Sequence, residues 1–237
     1  MSVRYFNNPY TDVIDPNQPL AFGPALALDR AVECLQNSLA HVPPTPRNYE
    51  GGLYTGYIGL AWASLIVLQK HKNEIPQDAR QFLLSKAHEL VNAAVSHVSG
   101  MRKQTTTKED HLSMLLGAGG VWMTAAMLYH YVGEQENRDR YLKIYADLAV
   151  EFKTNIVFSC GSDEFFIGRA GYLAGIAMLR SWTGEVGSAS VVCMFLRFPS
   201  TAFLHFIFLL SFFFSVFWHY FIILRFKKYF PWSNPSD

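Results

Sequence analysis

The chain has 237 residues, enough for one or two domains with a substantial buried core. Its formal net charge is +1 and it carries no basic stripe or polybasic run, so composition gives no footing for nucleic-acid binding. Three cysteines, Cys34, Cys160 and Cys193, are too few and too scattered for a disulfide scaffold, which fits a reducing compartment.

Residues 1–23 are rich in Asn, Pro and Asp, contain no apolar signal-peptide core, and read as an irregular arm. From Pro24 the pattern turns helical. Leu28, Ala31, Val32, Leu35 and Leu39 share one face, with Asp29, Arg30, Glu33 and Gln36 opposite. The proline suits a first helical turn, and VPPTPRN at 42–48 ends the helix. Between Gly51 and Leu68 there is no charge at all, so the next helix is apolar all round and implies burial on every side. An amphipathic helix over about 78–98 follows, striped by Ala79, Phe82, Leu83, Ala87, Leu90, Val91, Ala94 and Val98. After the polar linker 100–110, a second apolar helix is expected from Gly117 to Val132. Then comes an amphipathic one at 138–152 with Tyr141, Leu142, Tyr145, Leu148, Ala149 and Phe152 inward. A third apolar helix begins near Gly168.

Each apolar helix opens on the same Gly-x-x-Gly step: Gly56 and Gly59, Gly117 and Gly120, Gly168 and Gly171. The steps stand 61 and 51 residues apart, a loose internal repeat. Glycine there permits a tight turn and lets crowded backbones approach. Alternating apolar and amphipathic helices predict an all-α double layer, apolar helices inside and amphipathic ones outside.

The stretches GGLYTGYIGLAW, LLGAGGVWMTAAMLYH and CGSDEFFIGRAGYLAGIAML resemble the eukaryotic lanthionine synthetase C-like (LanC-like) family, closest to the third of its vertebrate-type branches. The resemblance covers about 24–182. It implies an α/α toroid of seven inner and seven outer helices, related to six-hairpin glycosidases, of which this chain holds about three hairpins. Bacterial members add peptide cysteines to dehydrated Ser or Thr with zinc activating the thiol, and eukaryotic relatives are linked to glutathione. The family's zinc ligands, two cysteines and a histidine, lie in later repeats as Trp-Cys-His-Gly-like and Cys-His-Gly-like motifs. An Ala-His-Gly motif follows the third inner helix. None of these occurs here, and Ala118 stands where relatives can carry Asp. The expectation is therefore a truncated family member with neither zinc nor glutathione as its own cofactor and no catalysis by itself. Its unfinished ring leaves an open face for a protein partner.

Other candidate chemistry is weaker. Asp163 and Glu164 resemble a glycosidase carboxylate pair only superficially. Such chemistry needs two carboxyls facing each other across about 5–9 Å, and adjacent acids at a helix entry have an ordinary role beside the positive dipole end. Arg169, read as lying inside an apolar helix, needs an anion or carbonyls, either in a pair with Asp163 or Glu164 or at a central cavity. His88-Glu89 begins like a zinc-protease helix, but position 92 is Asn. Asp110-His111 suits a helix start and His130 a helix end.

Beyond Trp182 the composition changes. Twelve of the 19 phenylalanines follow residue 190, and no Lys, Arg, Asp or Glu occurs from Phe198 to Leu224. The 22 residues 203–224 are long enough to span a bilayer, and 16 of them are Phe, Leu, Ile or Val. They favour insertion by roughly 5–9 kcal/mol. Residues 183–237 thus read as an unrelated, membrane-associating tail. Glu185-Val186 can be encoded across an AG-GT splice donor, which would make the tail translated intron; without the tail the protein would be cytoplasmic.

Overall fold

A computed structural model describes residues 23–49, 52–101, 111–154 and 165–183. Their regular elements are α1 (Pro24–His41), a 3-10 turn (Pro46–Asn48), α2 (Gly52–Thr55), α3 (Ile58–His71), α4 (Gln77–Gly100), α5 (Ala118–Tyr131), α6 (Gln135–Thr154) and α7 (Arg169–Thr183). No strand occurs among the described residues.

Local sequence accounts for these elements. Pro24 occupies the first turn of α1, where its missing N–H costs nothing, and Pro43 and Pro44 close the helix behind Val42. α1 buries only Val32 and Leu39 fully, a thin stripe that sets it at the edge. α4 buries Ala79, Leu83, Ala87, Leu90, Val91, Ala94 and Val98, all at helical spacing, whereas Phe82 stays half-buried. α6 turns Tyr141, Tyr145, Leu148, Ala149 and Phe152 inward. α5 differs in kind: every residue from Ala118 to Tyr129 is buried.

The packing explains that difference. α5 touches α3 and α7 on either side and α4 and α6 behind it, while α4 also packs on α3, and α1 on α3 and α4. Helices α3, α5 and α7 thus form an inner row with α1, α4 and α6 as the outer layer, consistent with a segment of an α/α toroid. A helix enclosed on all sides gains from burying every face, about 1.5–3 kcal/mol per large apolar side chain. Its hydroxyls must then bond internally. Thr124 Oγ1 donates to the Gly120 carbonyl at 2.8 Å in α5, and Ser64 Oγ to the Leu60 carbonyl at 2.8 Å in α3.

Three directed bonds hold α7 in the row. Tyr145 OH donates to the Tyr172 carbonyl at 3.0 Å, and Tyr172 OH returns to the Ala146 carbonyl at 3.3 Å, with the two rings stacked at 5.1 Å. Trp182 Nε1 donates to the Met127 carbonyl of α5 at 3.2 Å. Gly175 makes the first bond possible, because a methyl group there would occupy the place of the Tyr145 hydroxyl. Burial pushes both phenols up, Tyr145 with a further push from Tyr172 and Tyr172 with one from Asp147.

Among the described residues no helix is long and apolar enough to cross a membrane. The expected span 203–224 lies outside the described residues, as does the rest of the tail.

Candidate functional site

The turns that open the inner helices are tightly constrained by backbone contacts. Segments 53–60, 114–121 and 165–172 follow one plan. A methyl group at Gly59 would collide with the Leu53 carbonyl oxygen, one at Gly120 with that of Met114, and one at Gly171 with that of Phe165. The offset is six residues each time. The 61- and 51-residue intervals in the sequence therefore describe a true structural repeat. In the first two turns the bond closing the step is also shared: Gly59 N–H donates to the Gly56 carbonyl at 3.1 Å, and Gly120 N–H to that of Gly117 at 3.3 Å.

The physical reason for the glycines is narrower than expected. Close backbone approach requires Gly56, Gly59, Gly120 and Gly171, not an unusual dihedral. Positive φ occurs at Gly52 (61°) and Gly133 (81°), neither of which belongs to the three steps. Gly117 caps α5 in extended conformation, and Gly168 sits buried just ahead of α7. In the first repeat the step straddles a break: Gly56 follows the short α2, and Gly59 is already the second residue of α3. Gly52 has its own constraint, because a side chain there would meet the Leu115 carbonyl as well.

Hydrogen bonds tie the three turns together sideways. Tyr54 N–H donates to the Leu115 carbonyl at 2.8 Å. Ser113, fully buried, donates from Oγ to the Phe166 carbonyl at 2.6 Å and accepts from Leu116 N–H at 2.8 Å. Over the middle turn the Tyr54 and Phe166 rings meet edge to face, centroids 5.5 Å apart and planes at 87°. Both rings remain open to solvent, at 39% and 36%. The result is one end face where three helix N-termini sit side by side behind an exposed aromatic pair. Their N–H groups give that face a positive partial charge.

Arg169 takes the position held by Tyr57 in the first turn and Ala118 in the second. It is the first residue of α7 rather than an interior one, and it is half-buried. Its expected partners Asp163 and Glu164 lie outside the described residues. So do Cys160, Cys193 and Asp110. Cys34 is half-buried on α1, and burial, reinforced by Glu33, pushes its thiol up, which disfavours the thiolate needed for attack or metal binding. Among the described residues no group of three or more His, Cys, Asp or Glu could hold a metal ion. These residues do not fit the zinc site that the family resemblance implies.

His88 is accounted for structurally. Asn92 Nδ2 donates to its Nδ1 at 3.0 Å, Tyr129 OH donates to Asn92 Oδ1 at 2.9 Å, and Glu89 pairs with Lys86 at 2.8 Å. His130 lies in the last turn of α5, as its sequence position suggested. Sequence reasoning missed Ser113, Tyr54 and Phe166. Aligning the three turns would have singled out the two aromatics, whereas nothing local marks Ser113.

Comparison with known proteins places these helices. A family model, that of the lanthionine synthetase C-like proteins, matches residues 31–186, more than half of the chain. LanC-like protein GCL1 of Arabidopsis thaliana is 25% identical over 190 residues, covering 72% of this chain and 40% of that protein. The chain thus spans well under half the length of that relative.

Proposed function

Because the chain belongs to the lanthionine synthetase C-like family, we propose that its helical part is catalytically silent and that its inner-helix end face serves binding rather than thiol addition. What supports this reading is the content of the matched helices: among the described residues from 31 onward no set of His, Cys, Asp or Glu converges as zinc ligands would. The zinc-binding motifs that the resemblance assigns to later repeats have no counterpart in the sequence. Within the matched region Cys34 stands apart from other ligands, its thiol disfavoured as an anion. Thiol addition needs an activated thiolate, and zinc would supply it through three or four converging ligands.

The test uses the purified full chain in detergent. Zinc content is measured after metal loading, and glutathione addition to a dehydroalanine peptide is followed against the uncatalysed reaction. The expected result is no bound zinc and no acceleration. Stoichiometric zinc together with turnover would reverse the reading.

A second function is supported by the apolar run 203–224, which we assign to membrane attachment. It would hold the helical part at a bilayer and present its end face to a protein partner.

A further inference from the structure

The inner helices share a register. Gly59, Gly120 and Gly171 stand at one position, so Leu65, Ala126 and Ala177 stand together two turns later. On α5 the face around this position is Trp122, Ala126 and Tyr129. It lies under the outer helix α6, whose Tyr141 stacks on Trp122 at 6.0 Å and on Tyr129 at 5.5 Å. On α3 the same face is Ala61, Leu65 and Leu68, all fully buried, and the outer helix α4 packs on α3. On α7 it is Leu173, Ala177 and Arg180, the first partly exposed and the other two exposed. Among the described residues no outer helix follows α7 as α4 follows α3 and α6 follows α5. α1 is the complementary case, an outer helix that follows no described inner one. Laid stripe on stripe with α4, its Leu28, Ala31 and Leu35 match Ala87, Leu90 and Ala94. Those three are buried in α4, whereas their counterparts in α1 are only partly buried.

We propose that α1 of a second copy of this chain occupies the outer position on α7. The pair repeats α3 with α4 and α5 with α6, the two most extensive helix contacts among the described residues. Each partner covers apolar groups that the other copy leaves partly in water, which is the driving force of such a contact. The segment after α7 is a poorer occupant. Outer helices carry a charged face, as Asp29, Arg30 and Glu33 do on α1, whereas no Lys, Arg, Asp or Glu occurs from Phe198 to Leu224. The two surfaces differ, α1 on one copy and α7 on the next. The contact is therefore heterologous, and copies add head to tail until a ring closes.

Native mass spectrometry of the full chain in detergent, over roughly 1–100 μM, tests this. Species larger than the monomer are expected to grow with concentration. Leu35→Asp spoils the α1 surface and Ala177→Asp the α7 surface. Neither residue is fully buried in the single copy, so both variants should keep the helix content of the parent by circular dichroism. Each alone should associate roughly tenfold or more weakly, because a carboxylate meets an apolar surface. Mixed in equal amounts, the two should form dimers and nothing larger, since one intact surface of each kind remains. A second measurement needs no variant: hydrogen exchange over 26–35 and 173–181 should slow together as concentration rises. A chain that stays monomeric, or exchange that slows in neither segment, overturns the proposal. So does association unchanged in both variants, the result expected if the apolar run 203–224 joins the copies instead.

Discussion

Gly171 illustrates how little room the end face leaves. One added carbon would strike the Phe165 carbonyl, and backbone cannot move aside as a flexible side chain can. Gly171→Ala should lower stability by about 1–3 kcal/mol in chemical denaturation, as overpacked sites do. Gly100, at the end of α4 with open space around it, is the control: Gly100→Ala should be neutral or stabilising by up to about 1 kcal/mol. Ser113→Ala should cost about 1–3 kcal/mol by the same measurement, because it strips partners from both Leu116 N–H and the Phe166 carbonyl. The glycines were legible because their spacing recurs along the chain. Ser113 was not, since its acceptor lies 53 residues away and no periodicity reports such a bond.

At the scale of elements, burial pattern is what the sequence transmits well. The uncharged runs after Gly51 and Gly117 became inner helices and the striped segments outer ones, but the burial on every side expected of the first run holds only for α5, since α3 leaves Trp62, Ala63 and Ile66 partly exposed. Four-residue α2 was missed, because a single turn is too short to show a period. The third inner helix was expected to begin near Gly168, and it begins at Arg169. The bonded tyrosines between α6 and α7 were foreseen only as apolar contacts, and their hydroxyls have a measurable consequence. Both phenols titrate above their ordinary value in the folded protein, so the folded state keeps protons that the unfolded state releases. That stability is fully present below about pH 10 and falls as pH rises beyond it. Tyr172→Phe should make the fall shallower by up to about 1.4 kcal/mol per pH unit, read from denaturant midpoints between pH 9.5 and 11.

For the whole molecule, the alternation of helix types anticipated two layers, and the inner and outer rows bear that out. The membrane reading comes from the hydropathy of 203–224, which lies outside the described residues. It predicts that the full chain stays in the membrane pellet after alkaline carbonate extraction, whereas a chain lacking 203–224 is released. Recovery of the full chain in the supernatant would count against attachment. Packing within the row has one more consequence. Its main contacts join elements that are adjacent or nearly so along the chain, such as α3 with α4, α5 with α6, and α5 with α7. Few contacts wait for distant sequence, so loop-closure costs stay small and each helix pair has its docking surface ready once the previous pair has formed. On a ribosome, assembly can therefore proceed from the N-terminal side as the chain emerges, with α3 and α4 paired before α7 has been synthesised.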